Sequence, residues 1–120
     1  MKSDNIIQTK SFDFAIRIVN VCKYLSNEKK EFVLSKQLLR SGTSIGANIE
    51  ECQGAQSEKD FYAKISIAYK ESRETLYWIK LLRATEFLSA DKAQSLINDA
   101  EEICRIIGKI QTTIKERKRG

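Results

Sequence analysis

Two glutamates, Glu71 and Glu74, stand one helical turn apart and share a face of any helix that carries them. Paired carboxylates of that kind exchange a proton with a substrate or hold a divalent cation. Three cysteines, Cys22, Cys52 and Cys104, add thiol chemistry. Their number is odd, they lie far apart and no C-x-x-C pair occurs, which argues against a disulfide framework or a zinc site. Each falls in an apolar helical pattern and reads as a small buried hydrophobe. Histidine is absent. That excludes Ser-His-Asp and Cys-His catalysis, His-ligated zinc and Glu-x-x-His di-iron sites. No nucleophile or phosphate loop accompanies the glutamates. They are expected first as ion-pair partners of Arg40, Lys64 or Lys70, and only second as a carboxylate metal site. The sequence therefore predicts no catalytic residue, no metal ligand and no cofactor, and a protein that is not an enzyme.

What remains is charge. Lysine plus arginine number 21 and aspartate plus glutamate 16, a formal net of +5. The last six residues hold Lys115, Arg117, Lys118 and Arg119 against Glu116, so much of that excess sits in the tail. A basic end of this kind binds phosphate backbones or simply aids solubility. Arg105, Lys109 and Lys115 with the tail bases form one candidate nucleic-acid stripe. Lys10, Arg17 and Lys23 form another. Acids interrupt both, Asp13 on one and Glu101, Glu102 and Glu116 on the other, and no RNA-recognition signature or helix-turn-helix spacing is present.

The elements that must carry these residues are helices. The chain has 120 residues, 31% of them charged and none of them proline, which suits one domain, residues 1–120, built from long amphipathic helices. Periodicity predicts four, at about 12–25, 36–53, 58–84 and 90–117, with no strand. Phe12, Ala15, Ile16, Val19, Cys22 and Leu25 form the apolar face of the first, with Ser11 as N-cap. Ser35 is the expected cap of the second and Gly54 its left-handed stop. Ser57 opens the third with Asp60 in a variant capping box, and Ser89 opens the fourth. In the third, Phe61, Ile65, Ala68, Ser72, Thr75, Ile79 and Leu82 keep a heptad seam. Short connections make consecutive helices antiparallel, so the expected fold is all-α: an up-down-up-down antiparallel four-helix bundle.

Several polar and small positions then need a role. Gly42 and Gly46 lie on one face, and each costs ~1 kcal/mol against alanine inside a helix. Close approach of another backbone is the natural compensation, and that face or the third helix is where a subunit interface is expected. Asn48, beside the glycines, reads as a half-buried residue that specifies packing. Trp78 lies one residue off the seam and either faces a subunit interface or covers a neighbouring helix of its own bundle. Tyr62, Tyr69 and Tyr77 follow core spacing, which ranks base stacking low for them. Met1 to Ser11 has no apolar signal-peptide run, and no stretch approaches the ~20 apolar residues of a membrane span, so a cytoplasmic location without membrane contact is expected.

The ordered string from Gln37 through Arg40-Ser41-Gly42-Thr43-Ser44-Ile45-Gly46-Ala47-Asn48-Ile49-Glu50-Glu51 is distinctive. It continues through Ser57, Asp60-Phe61, Lys64, Ile67-Ala68, Lys70-Glu71-Ser72, Glu74-Thr75 and Tyr77-Trp78-Ile79 to Leu81-Leu82. This resembles the bacterial four helix bundle protein family, also called the 23S rRNA intervening-sequence protein family. The match is close over the second and third helices and rests on pattern and spacing in the first and fourth. The sequence departs from the commonest family form at Cys52-Gln53. The resemblance implies a four-helix bundle that assembles as a homopentamer, with no established enzymatic activity. Some family members are encoded within intervening sequences of 23S ribosomal RNA genes. A related branch, the accessory variability determinant of diversity-generating retroelements, partners a reverse transcriptase and nucleic acid. The expected function is thus a non-enzymatic homo-oligomeric scaffold whose partner is RNA or a reverse-transcriptase-like protein. The alternative is a purely structural or protein-binding oligomer.

Overall fold

A computed structural model describes the backbone of residues 2–119 and the side chains of residues 6–118. It contains four helices, α1 (Lys2–Asn27), α2 (Leu34–Gln53), α3 (Glu58–Ala84) and α4 (Ala90–Arg119), and no strand among the described residues. The helices pair α1 with α2, α2 with α3, α3 with α4 and α4 with α1, leaving both diagonals apart. Short connections reverse the chain each time, so the four form an antiparallel bundle about 51 × 22 × 21 Å. Its core runs the full length, from Ile7 at one end past Phe14, Ile45 and Ile79 to Leu82 and Leu96.

The first helix corrects the sequence expectation. It begins at Lys2 and runs straight through Ser11, which is buried and returns its hydroxyl to the Gln8 carbonyl at 3.2 Å. The buried stripe is Ile7, Ser11, Phe14, Ile18, Val21, Cys22 and Leu25. Phe12 and Ile16, expected inside, are 66% and 49% exposed, and Val19 is exposed with them. Serine sits at this inward position because α2 approaches there: a Cβ at Gly46 would lie 3.4 Å from the Ser11 carbonyl oxygen. Gly42 meets Ile18 more closely still, with both Cγ atoms of Ile18 2.8 Å from where a Cβ would stand. The Gly42–Gly46 face is therefore occupied by α1 of the same chain, and an intersubunit contact expected on it must use another surface.

The helix ends follow local chemistry. At α2 the expected Ser35 cap is replaced by Glu31. Val33 occupies the cap position without a side-chain bond, and Ser35 lies inside the helix. The Glu31 carboxylate accepts from Ser35 N at 2.8 Å and from Val33 N at 3.3 Å, placing a negative charge on free amides at the positive end of the helix dipole. Gly54 is not left-handed: its φ is −101°, and i→i−3 bonds to Glu51 and Cys52 close the last turn of α2. Ser57 Oγ accepts from Asp60 N at 3.0 Å, and Asp60 reaches back to Gln56 N at 3.3 Å. Ser89 Oγ accepts from Lys92 N at 3.2 Å. Between α3 and α4, Glu86 takes φ 66°, a left-handed turn closed by Phe87 N bonding to Leu82 O at 2.9 Å.

Small residues govern the α2–α3 contact. Ser41 and Thr75 are both fully buried, their hydroxyl oxygens 3.0 Å apart, and Thr75 also donates to the Glu71 carbonyl at 2.7 Å. The seam expected in α3 is the buried one, with Ile65, Ala68, Ser72, Thr75, Ile79 and Leu82 inside and Phe61 half-buried at its start.

Candidate nucleic-acid interface

Across the α2–α3 surface Arg40 joins both glutamates. Its Nη1 lies 3.2 Å from Glu71 Oε2 and its Nη2 pairs with Glu74 Oε2. Glu74 also accepts from Trp78 Nε1 at 2.9 Å, and the indole is half-buried against the core. Arg40, Glu71, Glu74 and Trp78 thus form one polar network that ties two helices together. Two residues beyond Gly46, Asn48 donates to the Ser44 carbonyl at 2.8 Å within its own helix. Lys64 pairs with Glu51 at 3.3 Å. Among the described residues no group of three or more Cys, Asp and Glu side chains could hold a metal ion.

The two basic stripes meet different fates. On α1, Lys10 pairs with Glu102 at 2.9 Å and Arg17 with Asp99 at 2.6 Å, so acids on α4 neutralise both. The bond from Glu102, reinforced by its charge, raises the Lys10 pKa. Arg17 also donates to Ser95 Oγ at 3.0 Å. On α4, Arg117 lies 3.6 Å from Glu58 at the start of α3. Lys109, Lys115 and Lys118 are exposed, and Arg105 is exposed at the middle of the helix. The Arg119 side chain lies outside the described residues.

Arg105 opens onto a groove between α3 and α4 of about 600 Å³, lined by Tyr69, Arg73, Leu76, Tyr77, Lys80, Glu101, Cys104 and Gly108. That volume falls in the range of small-molecule sites. The helices are set so that Tyr69 is level with Gly108, where a Cβ would stand 3.9 Å from its ring, and Ser72 is level with Cys104, 3.0 Å away. Arg73, Lys80 and Arg105 therefore converge from two helices. None of the three has an ion-pair partner among the described residues, and Glu101 is the one acid in the lining. Tyr77, expected in the core, is 59% exposed, with its ring edge-on to Trp78 at 5.1 Å between centroids. Trp78 itself is anchored by Glu74, so the polar network behind the groove also fixes the ring in front of it.

Sequence reasoning named Arg105 and missed Arg73 and Lys80. Their signal was the spacing Tyr69, Arg73, Tyr77, Lys80, which runs along one side of α3. What joins them to Arg105 is the register of α3 against α4.

Residues 3–109 match the model of a family described as 23S rRNA-intervening sequence protein. Among solved structures, the chain is similar to a protein of unknown function from the S23 ribosomal protein family of Bacteroides thetaiotaomicron VPI-5482. The two are 52% identical, the match covers 92% of this chain and 98% of that one, and the TM-score is 0.90. No curated protein matches the chain.

Proposed function

The chain belongs to the 23S rRNA-intervening sequence protein family, and from that premise we propose that it is a non-enzymatic, homo-oligomeric helical scaffold that binds RNA through the phosphate backbone. The observation that carries the RNA half is the set of three cations, Arg73, Lys80 and Arg105, that converge in one groove without acidic partners among the described residues. On the α1–α4 seam, by contrast, Lys10 and Arg17 are already paired with Glu102 and Asp99. Unpaired cations in a concave surface attract a polyanion and release its counterions on contact. Lys109, exposed one turn beyond Arg105, extends the same charge along α4. The oligomeric half is supported by the stripe Phe12, Ile16 and Val19, which leaves apolar side chains in water along the outer face of α1.

The test is a titration of fluorescently labelled RNA with the protein at several salt concentrations. With three phosphates neutralised on a single strand, log K falls against log salt with a slope of about −2. Absence of salt-sensitive binding at low ionic strength sinks the RNA half. Light scattering reads the other half separately, and a mass near the 13.8 kDa of one chain sinks it.

A further inference from the structure

We propose that the α3–α4 groove takes a single-stranded stretch of RNA, with a base against the Tyr77 ring and the flanking phosphates on Arg73 and Arg105. This rests on the RNA-binding proposal above and specifies its site and strand type. The argument starts from the kind of surface the groove presents. A duplex shows its phosphates on a convex flank and hides its base faces in the stack, so a protein meets it with an array of cations and little aromatic surface. The α3–α4 groove is concave, and two tyrosines stand among its cations. Base faces are open for stacking only on an unpaired strand, and aromatic rings beside a cationic track are how such strands are held without base readout.

The residues also separate the parts of a nucleotide. Arg73 and Arg105 come from the two walls, so a phosphate between them is met from both sides by guanidinium groups that fit its oxygens. Glu101 repels a phosphate from its own part of the wall and accepts there from a sugar hydroxyl or a base amino group. Tyr77, exposed and held edge-on by Trp78, keeps a face free without needing to move. Gly108 leaves the wall opposite Tyr69 open, since it adds no side chain to the groove.

Cys104 supplies a reporter without any substitution. It lines the groove and is partly exposed, while Cys22 and Cys52 are buried. In the unmodified protein, an excess of unstructured RNA oligonucleotide is expected to slow maleimide labelling of Cys104 several-fold, and a hairpin of equal length is not. Tyr77→Ala is expected to weaken binding of the unstructured oligonucleotide by about ten- to a hundred-fold at constant salt, the range of one lost base stack. It should leave hairpin affinity and the salt slope unchanged, and Tyr77→Phe should restore binding. Arg73→Gln with Arg105→Gln should make the salt slope shallower by more than one unit. If RNA binds with salt sensitivity but Cys104 labels at an undiminished rate and Tyr77→Ala binds normally, the groove is not the site and only the general RNA proposal survives. If the hairpin protects Cys104 as well as the single strand does, the strand type is wrong. If no RNA binds at all, both proposals fall together.

Discussion

Replacing Gly42 and Gly108 by alanine, one at a time, separates packing from helix propensity. Both glycines lie inside helices, so each substitution gains about 1 kcal/mol from propensity alone. Their surroundings differ. At Gly108 the new methyl would sit 3.9 Å from the Tyr69 ring, an ordinary contact. At Gly42 it would sit 2.8 Å from both Cγ atoms of Ile18 and 3.3 Å from its Cβ. Ile18 is fully buried and β-branched in a helix, where one χ1 well dominates, so it cannot swing away. Overpacking of this kind costs about 1–3 kcal/mol. Gly108→Ala should therefore stabilise by about 1 kcal/mol, and Gly42→Ala should fall below it by the overpacking cost. For a chain of this size 1 kcal/mol moves the melting temperature by about 4 °C, so the two variants should melt roughly 4–12 °C apart. Thermal unfolding followed by circular dichroism, at one protein concentration so that assembly does not intrude, measures the gap. Ile18→Ala removes both clashing atoms, and when it is combined with Gly42→Ala its cost should shrink by about the same 1–3 kcal/mol. Equal rises in melting temperature for the two single variants would refute the close α1–α2 crossing.

Further outcomes follow from other parts of the fold. Glu31→Ala strips the acceptor from two amides at the start of α2 and should cost about 1 kcal/mol in urea unfolding, while Ser35→Ala, which caps no amide, should act only through its own buried contact with the Glu31 carbonyl. Glu86→Gly should raise the melting temperature by a few degrees, because a non-glycine residue at φ 66° carries a left-handed penalty of about 1–2 kcal/mol that glycine avoids. Burial pushes the Cys22 thiol up to about 11 from 9.0. The folded chain then holds a proton that the unfolded chain gives up between those values. This stabilisation is whole below pH 9.0 and drains as pH rises towards 11. The thiolate absorbance lost in Cys22→Ala should accordingly appear only above the ordinary thiol range.

The fold was legible where a strict repeat marked one stripe of a helix. In α3 the heptad seam picked out buried residues from Ile65 to Leu82, and Leu76, off the seam, is buried beside them. In α1 two apolar stripes compete, Ile7–Ser11–Phe14–Ile18 and Phe12–Ile16–Val19. Periodicity cannot rank them, and hydrophobicity favours the stripe without the serine. The choice is made by α2, whose Gly46 needs a small residue opposite it. Ser35 misled in the same way: its type suits a cap, but Glu31 reaches further and brings charge to the helix end. The groove was half legible. Each wall can be read from spacing on its own helix, but that Tyr69 stands at Gly108 is a matter of register, which no single helix encodes.

The two ion pairs that fasten α1 to α4 have an effect at long range. They cancel Lys10 against Glu102 and Arg17 against Asp99 on that seam, while Arg73, Lys80 and Arg105 on the α3–α4 flank keep their charge without an ion-pair partner among the described residues. A body charged on one flank feels a torque in the field of a polyanion as well as a pull, and turns that flank forward before contact. The search over orientations that limits most associations is thereby shortened. Salt should then act on the rate of encounter with the proposed RNA, and charge reversal at Glu102 or Asp99, which face α1 from another side of α4, should slow or misdirect the approach more than it changes dissociation.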